Sequence, residues 1–164
     1  MNSTKKILIA NRGVIAIRAL RAAKELGYQV ASVYSTADKN LKHLKLSDEA
    51  ICIGPPDSKD SYLNEAAIIS AAELANVDGI YPGYGFLSEN AEFAEKCKNS
   101  GFKFIGPSHE IISLMGDKIQ AKNLMRQLGV PVVPGYEGPV ESKEQIENEV
   151  KKVGLPVIIK AAAG

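Results

Sequence analysis

A doubly wound α/β fold with a parallel sheet and flanking helices is predicted by two features of the sequence. From residue 7 onward, short β-branched runs alternate with segments of helical period, as in successive βαβ units. Each apolar run is also short enough for a strand buried on both faces. Five such strands are read, all beginning before residue 106: KILIAN (6–11), QVASVY (29–34), EAICIG (49–54), DGIYP (78–82) and KFIGP (103–107).

The first helix is expected over 14–26, with Ile17, Leu20 and Ala23 or Lys24 at helical spacing and Gly27 as a left-handed stop. A second is expected over 64–75, with Ala67, Ile68, Ala71 and Leu74 on one face. A third should start near Ser88 as N-cap and reach the Asn99-Ser100-Gly101 stop.

Beyond residue 107 the character changes. GPSHEIISLMGD predicts a short helix from Ser108, and KIQAKNLMRQLG a helix capped by Asp117 and stopped by Gly129. The proline- and glycine-punctuated VPVVPGYEGPVES passes into another unit. There Ser142 and Gln145 form a capping box, a charged helix runs to Lys152, Gly154 ends it and PVIIK reads as a strand. The expected division is 1–117 and 118–164. A helix, a strand, a helix and a strand are too little to bury a core, so the second unit is read as unfinished, with apolar faces such as Val157, Ile158 and Ile159 uncovered.

Composition excludes several classes. The 164 residues are 45% hydrophobic and 24% charged, with a formal net charge of +1, which gives no reason to expect nucleic acid or an anionic membrane as partner. No apolar run approaches the roughly 20 residues of a membrane helix, and MNSTKKILIA passes from a polar tail straight into a strand, so the chain is read as cytoplasmic. Cys52 and Cys97 are too few and too scattered for a disulfide framework or metal cluster. His43 and His109, near no cysteine or paired carboxylate, are read as surface residues.

Three places could carry chemistry. The turn ANRGVIAIR follows the first strand, where a Rossmann fold grips phosphate, but it has one glycine, Gly13, where the dinucleotide fingerprint needs three. No acid ends the second strand to hold a ribose, the nearest being Asp38. NAD binding is therefore set aside. In YPGYGFLSEN, Gly83 and Gly85 flank Tyr84 at the carboxyl end of the fourth strand, where open α/β sheets place ligands. Tyr84 and Phe86 offer flat faces and Glu89 falls in the first turn of a helix; the alternative is that Glu89 complements the helix dipole and the aromatics are core. Lys118 opens a helix, an unfavourable place for a cation unless an anion is near. Lys160 ends an apolar strand beside a small-residue loop. Together they suit polyphosphate, although a strand-tip lysine can simply snorkel to water.

The segments KILIANRG, RAAKELG, SDEAICIG, SYLN, YPGYGFLSENAEFAE, FIGP, LMGDK and GVPVVPG, ending in PVIIKAAAG, resemble in this order the amino-terminal part of the biotin carboxylase family. The same component occurs in acetyl-CoA carboxylase, the type used in fatty acid biosynthesis, in pyruvate carboxylase and in related biotin-dependent enzymes. The resemblance implies a Rossmann-like preATP-grasp domain, followed by the incomplete start of an ATP-grasp domain. It implies a ligase that uses ATP, with magnesium or manganese, and bicarbonate to carboxylate biotin on a carrier protein or domain, partnered by a carboxyltransferase and assembled as a homodimer. By the resemblance, Lys118 and Lys160 contact ATP phosphates. Tyr84, Gly85, Phe86 and Glu89 line a biotin and bicarbonate pocket, and Arg18, Arg21 and Glu25 belong to a dimer surface. The family's catalytic base and metal-binding carboxylates have no counterpart in these 164 residues, so the expectation is that the chain alone is inactive. The competing expectation is a stand-alone binding or dimerisation module that associates with a full carboxylase. Val14 departs from the family's usual glutamate in ANRGEIA.

Overall fold

The computed structural model describes residues 5–136, 138, 140 and 142–159. It falls into two compact units, 1–112 and 113–164.

The first unit is built on five parallel strands: β1 (Lys6–Ile9), β2 (Gln29–Ser35), β3 (Glu49–Gly54), β4 (Gly79–Tyr81) and β5 (Lys103–Phe104), ordered β3-β2-β1-β4-β5. The expected five parallel strands are all present. Winding runs outward from β1 through β2 to β3, then returns to β4 and β5 on the other side. The switch in direction lies between β1 and β4, and the carboxyl ends of strands at such a point are where open α/β sheets bind ligands.

Both faces of the sheet are covered, and the alternation of side chains divides the core in two. Ile9 and Val30 pack against Ala16, Leu20 and Ala23 of helix α1 (Gly13–Glu25). Leu8, Ala31, Val33 and Ile80 pack on the opposite face against Ile68, Ala71 and Ala72 of α3 (Glu65–Leu74) and Phe93 and Cys97 of α4 (Ala91–Asn99). Leu8 and Ile9 are adjacent and both fully buried, the signature of a central parallel strand.

Several expectations are corrected. The buried face of α1 is Ala16, Leu20 and Ala23, with Ile17 only half-buried, because small residues let the helix sit close on the sheet. Leu74, placed on the inner face of α3, is exposed, and Ala72 takes the inner position. Helix α4 is capped by Asn90, whose side chain accepts from the Phe93 N–H, not by Ser88, whose own N–H donates to the Gly85 carbonyl in the preceding loop. Glu89 thus precedes the helix. Strand β3 is at the sheet edge, so Ala50 and Cys52 are exposed and it is not buried on both faces.

His43 is fully buried, against the surface position expected. It lies on a short helix, α2 (Lys42–Leu46), that packs against α1 and β2, and its Nε2 faces the Val33 carbonyl at 3.5 Å. No periodic signal marks five residues as a helix, which is why the burial was not legible. His109 is half-buried on α5 (His109–Gly116), beside Glu110.

In the second unit, α6 (Lys118–Gln127) and α7 (Lys143–Val153) form as expected, with Gly129 and Gly154 in left-handed φ after their ends. Ser142 accepts from the Gln145 N–H, but the Gln145 amide turns to the Tyr136 hydroxyl at 2.9 Å. The two strands expected here do not form among the described residues: 131–136 and 155–159 are irregular. A strand exists only by pairing, and no neighbouring strand is described in this unit. Ile158 and Ile159 are exposed, while Val157 is half-buried.

Candidate ligand site at the strand ends

At the carboxyl ends of β1 and β4 the segment leaving β1, Asn11 and Arg12, meets the loop leaving β4, Pro82–Phe86. Asn11 is 3% exposed, and its side-chain amide donates to the carbonyls of Pro82 at 2.8 Å and Tyr84 at 2.9 Å. Its own carbonyl oxygen accepts from the Arg12 N–H at 2.8 Å. One buried side chain therefore satisfies three backbone groups and ties two strand ends together.

Gly83 lies between the two bonded carbonyls at φ +74°, and a Cβ on it would stand 2.9 Å from Asn11 Nδ2 and 3.1 Å from Ile15 Cγ1. Gly85 also has positive φ, and Phe86, at φ +43°, holds a left-handed conformation that carries a steric cost for a residue with a Cβ. The loop turns the Tyr84 side chain outward, 69% exposed, and folds Phe86 inward.

Beneath Phe86 is a compact polar and aromatic cluster. The Phe86 and Tyr62 rings stack, with centroids 4.9 Å apart and planes 18° from parallel. The Arg12 guanidinium sits over both, 5.1 Å from the Tyr62 centroid and 5.6 Å from that of Phe86. Its Nη1 donates to Asp38 Oδ2 at 2.9 Å, and the same oxygen accepts from Ser35 Oγ at 2.9 Å and the Tyr62 hydroxyl at 2.8 Å. Burial alone would push the Asp38 carboxyl up, but the hydrogen bonds from Arg12, Tyr62 and Ser35, with the Arg12 charge, outweigh it and hold it below its usual value. Burial pushes the Tyr62 hydroxyl up to about 12, so it remains a protonated donor.

The structure thus gathers Tyr84, Gly85 and Phe86 on one loop, with the exposed Glu89 following. Arg18, Arg21 and Glu25 lie together on the outer side of α1, lining a shallow groove with Val14, Ile17 and Ala22. Lys118 is the first residue of α6, where the Asp117 carboxylate accepts from the Ile119 and Gln120 N–H groups. The anion that this helix start calls for is therefore its own cap, which occupies those two amides. Lys160 lies outside the described residues. Among the described residues, no group of three or more His, Cys, Asp or Glu could hold a metal ion, and no helix is long and apolar enough to cross a membrane.

Five residues of this region are not found by sequence reasoning: Asn11 beside the loop, and Arg12, Ser35, Asp38 and Tyr62 in the cluster. In the sequence Asp38 is only the acid nearest the tip of the second strand, and ANRG a turn with a single glycine. A polar pair directly after a buried strand, at the end of the sheet where ligands bind, was the available signal for Asn11 and Arg12. Nothing local marks Tyr62.

A doubly wound parallel sheet with an aromatic, glycine-rich loop at its switch point defines a Rossmann-like domain. Residues 3–112 match the family described as biotin carboxylase, N-terminal domain, and residues 117–164 match the carbamoyl-phosphate synthase L chain, ATP binding domain. The chain belongs to the biotin carboxylase N-terminal domain family. It is 56% identical over 161 residues to biotin carboxylase of Haemophilus influenzae and 54% identical over 160 residues to biotin carboxylase 1 of Bacillus subtilis, covering 98% of this chain and 36% of each relative. Its fold is similar to that of a biotin carboxylase–β,γ-ATP complex from Campylobacter jejuni, with a TM-score of 0.92 and 55% identity over 98% of this chain and 36% of that one. It is also similar to the biotin carboxylase domain dimer of Hydrogenobacter thermophilus 2-oxoglutarate carboxylase with MgADP, ADP and bicarbonate, with a TM-score of 0.90 and 45% identity over 98% of this chain and 35% of that one. The chain thus spans about a third of the length of these relatives.

Proposed function

We propose that this chain is the amino-terminal part of a biotin carboxylase, a cytoplasmic ligase that uses ATP and bicarbonate to carboxylate biotin on a carrier protein or domain. The observation that carries the reading is the family match over residues 3–112. On this reading 1–117 is the Rossmann-like domain and 118–164 the beginning of the ATP-grasp domain. ATP with magnesium or manganese supplies the phosphoryl group that activates bicarbonate. The chain's own contribution there is Lys118 and Lys160, whose ammonium groups neutralise charge on the phosphates. Tyr84, Gly85, Phe86 and Glu89 border the place where biotin and bicarbonate meet. The groove bearing Arg18, Arg21 and Glu25 is the surface for a second subunit, and a carboxyltransferase consumes the carboxylated carrier.

The test is a chimera in which residues 3–163 replace the matching amino-terminal segment of the Haemophilus influenzae relative. Bicarbonate- and biotin-dependent ATP cleavage within an order of magnitude of the parent supports the reading, and a folded but inert chimera overturns it. The 164 residues assayed alone are expected to give no turnover.

A second reading rests on the α1 groove, where Val14 is 81% exposed beside Arg18 and Arg21. On this reading the chain is a dimerisation or binding module for a full carboxylase. No shift in sedimentation on mixing the two would count against it.

A further inference from the structure

Two observations made independently of any ligand converge on the loop Pro82–Phe86. Its main chain is held from one side by a single buried amide, since Asn11 bonds the carbonyls of both Pro82 and Tyr84. Its inward ring is held from the other side, since Phe86 is stacked on Tyr62 with the Arg12 guanidinium over both. The loop would not keep this form unaided, because Phe86 sits at φ +43°, a conformation that the surroundings must impose.

We propose that Asn11 and Arg12 are positioning residues for the biotin-binding loop, fixing where Tyr84, Gly85 and Phe86 present themselves to the flat ureido ring. This rests on the biotin carboxylase reading above. The two residues divide the task. Asn11 sets the backbone course on either side of Gly83, leaving that glycine no room for a side chain. Arg12 sets the tilt of Phe86, and it is itself aimed by Asp38, which accepts from Arg12, Tyr62 and Ser35 at once. Arg12 is well suited to this because its guanidinium is flat enough to lie over the rings while its edge donates to a carboxylate. A lysine could keep the charge pair and not the plane. Neither residue needs to touch biotin.

The consequence is selective. A loop displaced by a fraction of an ångström should bind biotin less well and leave ATP binding as it was, whereas general loosening of the domain would degrade both.

The experiment uses the full-length enzyme bearing this amino-terminal part, assayed by ATP cleavage with free biotin as the varied substrate. Arg12→Lys is expected to raise KM for biotin about tenfold, with KM for ATP within about twofold and the melting temperature nearly unchanged. Asn11→Ser, which cannot reach both carbonyls, is expected to show the same selective pattern. Biotin KM unchanged in folded Arg12→Lys, or biotin and ATP KM rising together, overturns the proposal. If Arg12→Lys does not fold, Asn11→Ser decides the matter by the same criteria. Wild-type enzyme without biotin-dependent turnover would remove the functional reading and the proposal together, an outcome distinct from an active wild type with indifferent variants.

Discussion

Tyr62 and Asp38 are joined by a 2.8 Å hydrogen bond in which the phenolic O–H donates to Oδ2, while the same phenol oxygen accepts from the buried Ser35 N–H at 3.1 Å. The hydroxyl thus links the end of β2 to the acid that aims Arg12. Tyr62→Phe keeps the stack on Phe86 and removes only this link. It leaves a buried N–H without its acceptor, so the loss of stability should be about 1–3 kcal/mol by urea unfolding. A loss below a few tenths would mean that the Ser35 N–H finds another acceptor.

Asp38 gives the cluster a pH dependence. Its folded carboxyl is held below the usual 3.8, so its contribution is fully present above that value and is lost as pH falls through the lower, folded one. In a His43→Leu background, which removes the imidazole that the Asp38 charge acts on, the stability lost on Asp38→Asn should therefore be constant from pH 7 to about 5 and shrink at lower pH. A difference that grows on acidification would contradict the geometry described for Oδ2.

Gly83 and Gly85 are two residues apart, both with left-handed φ, but their surroundings differ. A methyl on Gly83 would collide with Asn11 Nδ2 and Ile15, whereas one on Gly85 meets nothing within 4 Å. Gly85→Ala should cost only the backbone term, about 1 kcal/mol. Gly83→Ala should cost that plus displacement of a buried amide from two carbonyls, about 2–4 kcal/mol in all. Equal losses in thermal or urea unfolding would show that Asn11 yields without consequence.

The two cysteines should separate by reactivity. Cys52 is exposed on edge strand β3, while Cys97 is fully buried on α4, where burial pushes its thiol up to about 12. Since the thiolate is the nucleophile, one equivalent of an aromatic disulfide reagent should react with native protein at Cys52, and the second only in denaturant. Prompt reaction of both would mean that α4 opens readily from the sheet.

What the sequence made legible is what short range decides. The Asp117 cap of α6 and the Ser142 cap of α7 involve N–H groups two or three residues away, and both are formed. The five strands were read from local apolar runs, and the loop around Tyr84 from its glycines. Long-range relationships were not legible. The Asn11 bond to Tyr84 spans 73 residues, the Arg12 pair with Asp38 spans 26 and that of Tyr62 with Asp38 spans 24. None leaves a periodic mark. The rotation of α1 belongs to the same class, because Ile17 and Ala16 are both apolar and only packing on Ile9 and Val30 chooses Ala16. The edge position of β3 likewise depends on strand order, which no single strand encodes.

His43 shows what an unread buried group does to stability. It is fully enclosed between α2 and the sheet, its Nδ1 has no hydrogen-bond partner among the described residues, and burial lowers its pKa below 6.5 despite the Val33 carbonyl and the nearby Asp38 charge. The folded chain therefore resists a proton that the unfolded chain accepts readily. As pH falls through 6.5, unfolding becomes linked to proton uptake at this residue, and stability declines until the folded pKa is reached, where the loss levels off. His43→Leu removes that linkage while keeping the site filled with an apolar side chain. Wild type and His43→Leu should thus differ in the slope of unfolding free energy between pH 7 and about 5, with the wild type falling more steeply. Groups that do not interact with His43 contribute equally to both chains and cancel in the difference. Parallel slopes would mean that His43 takes up its proton in the folded state, and α2 would then have to open to admit it.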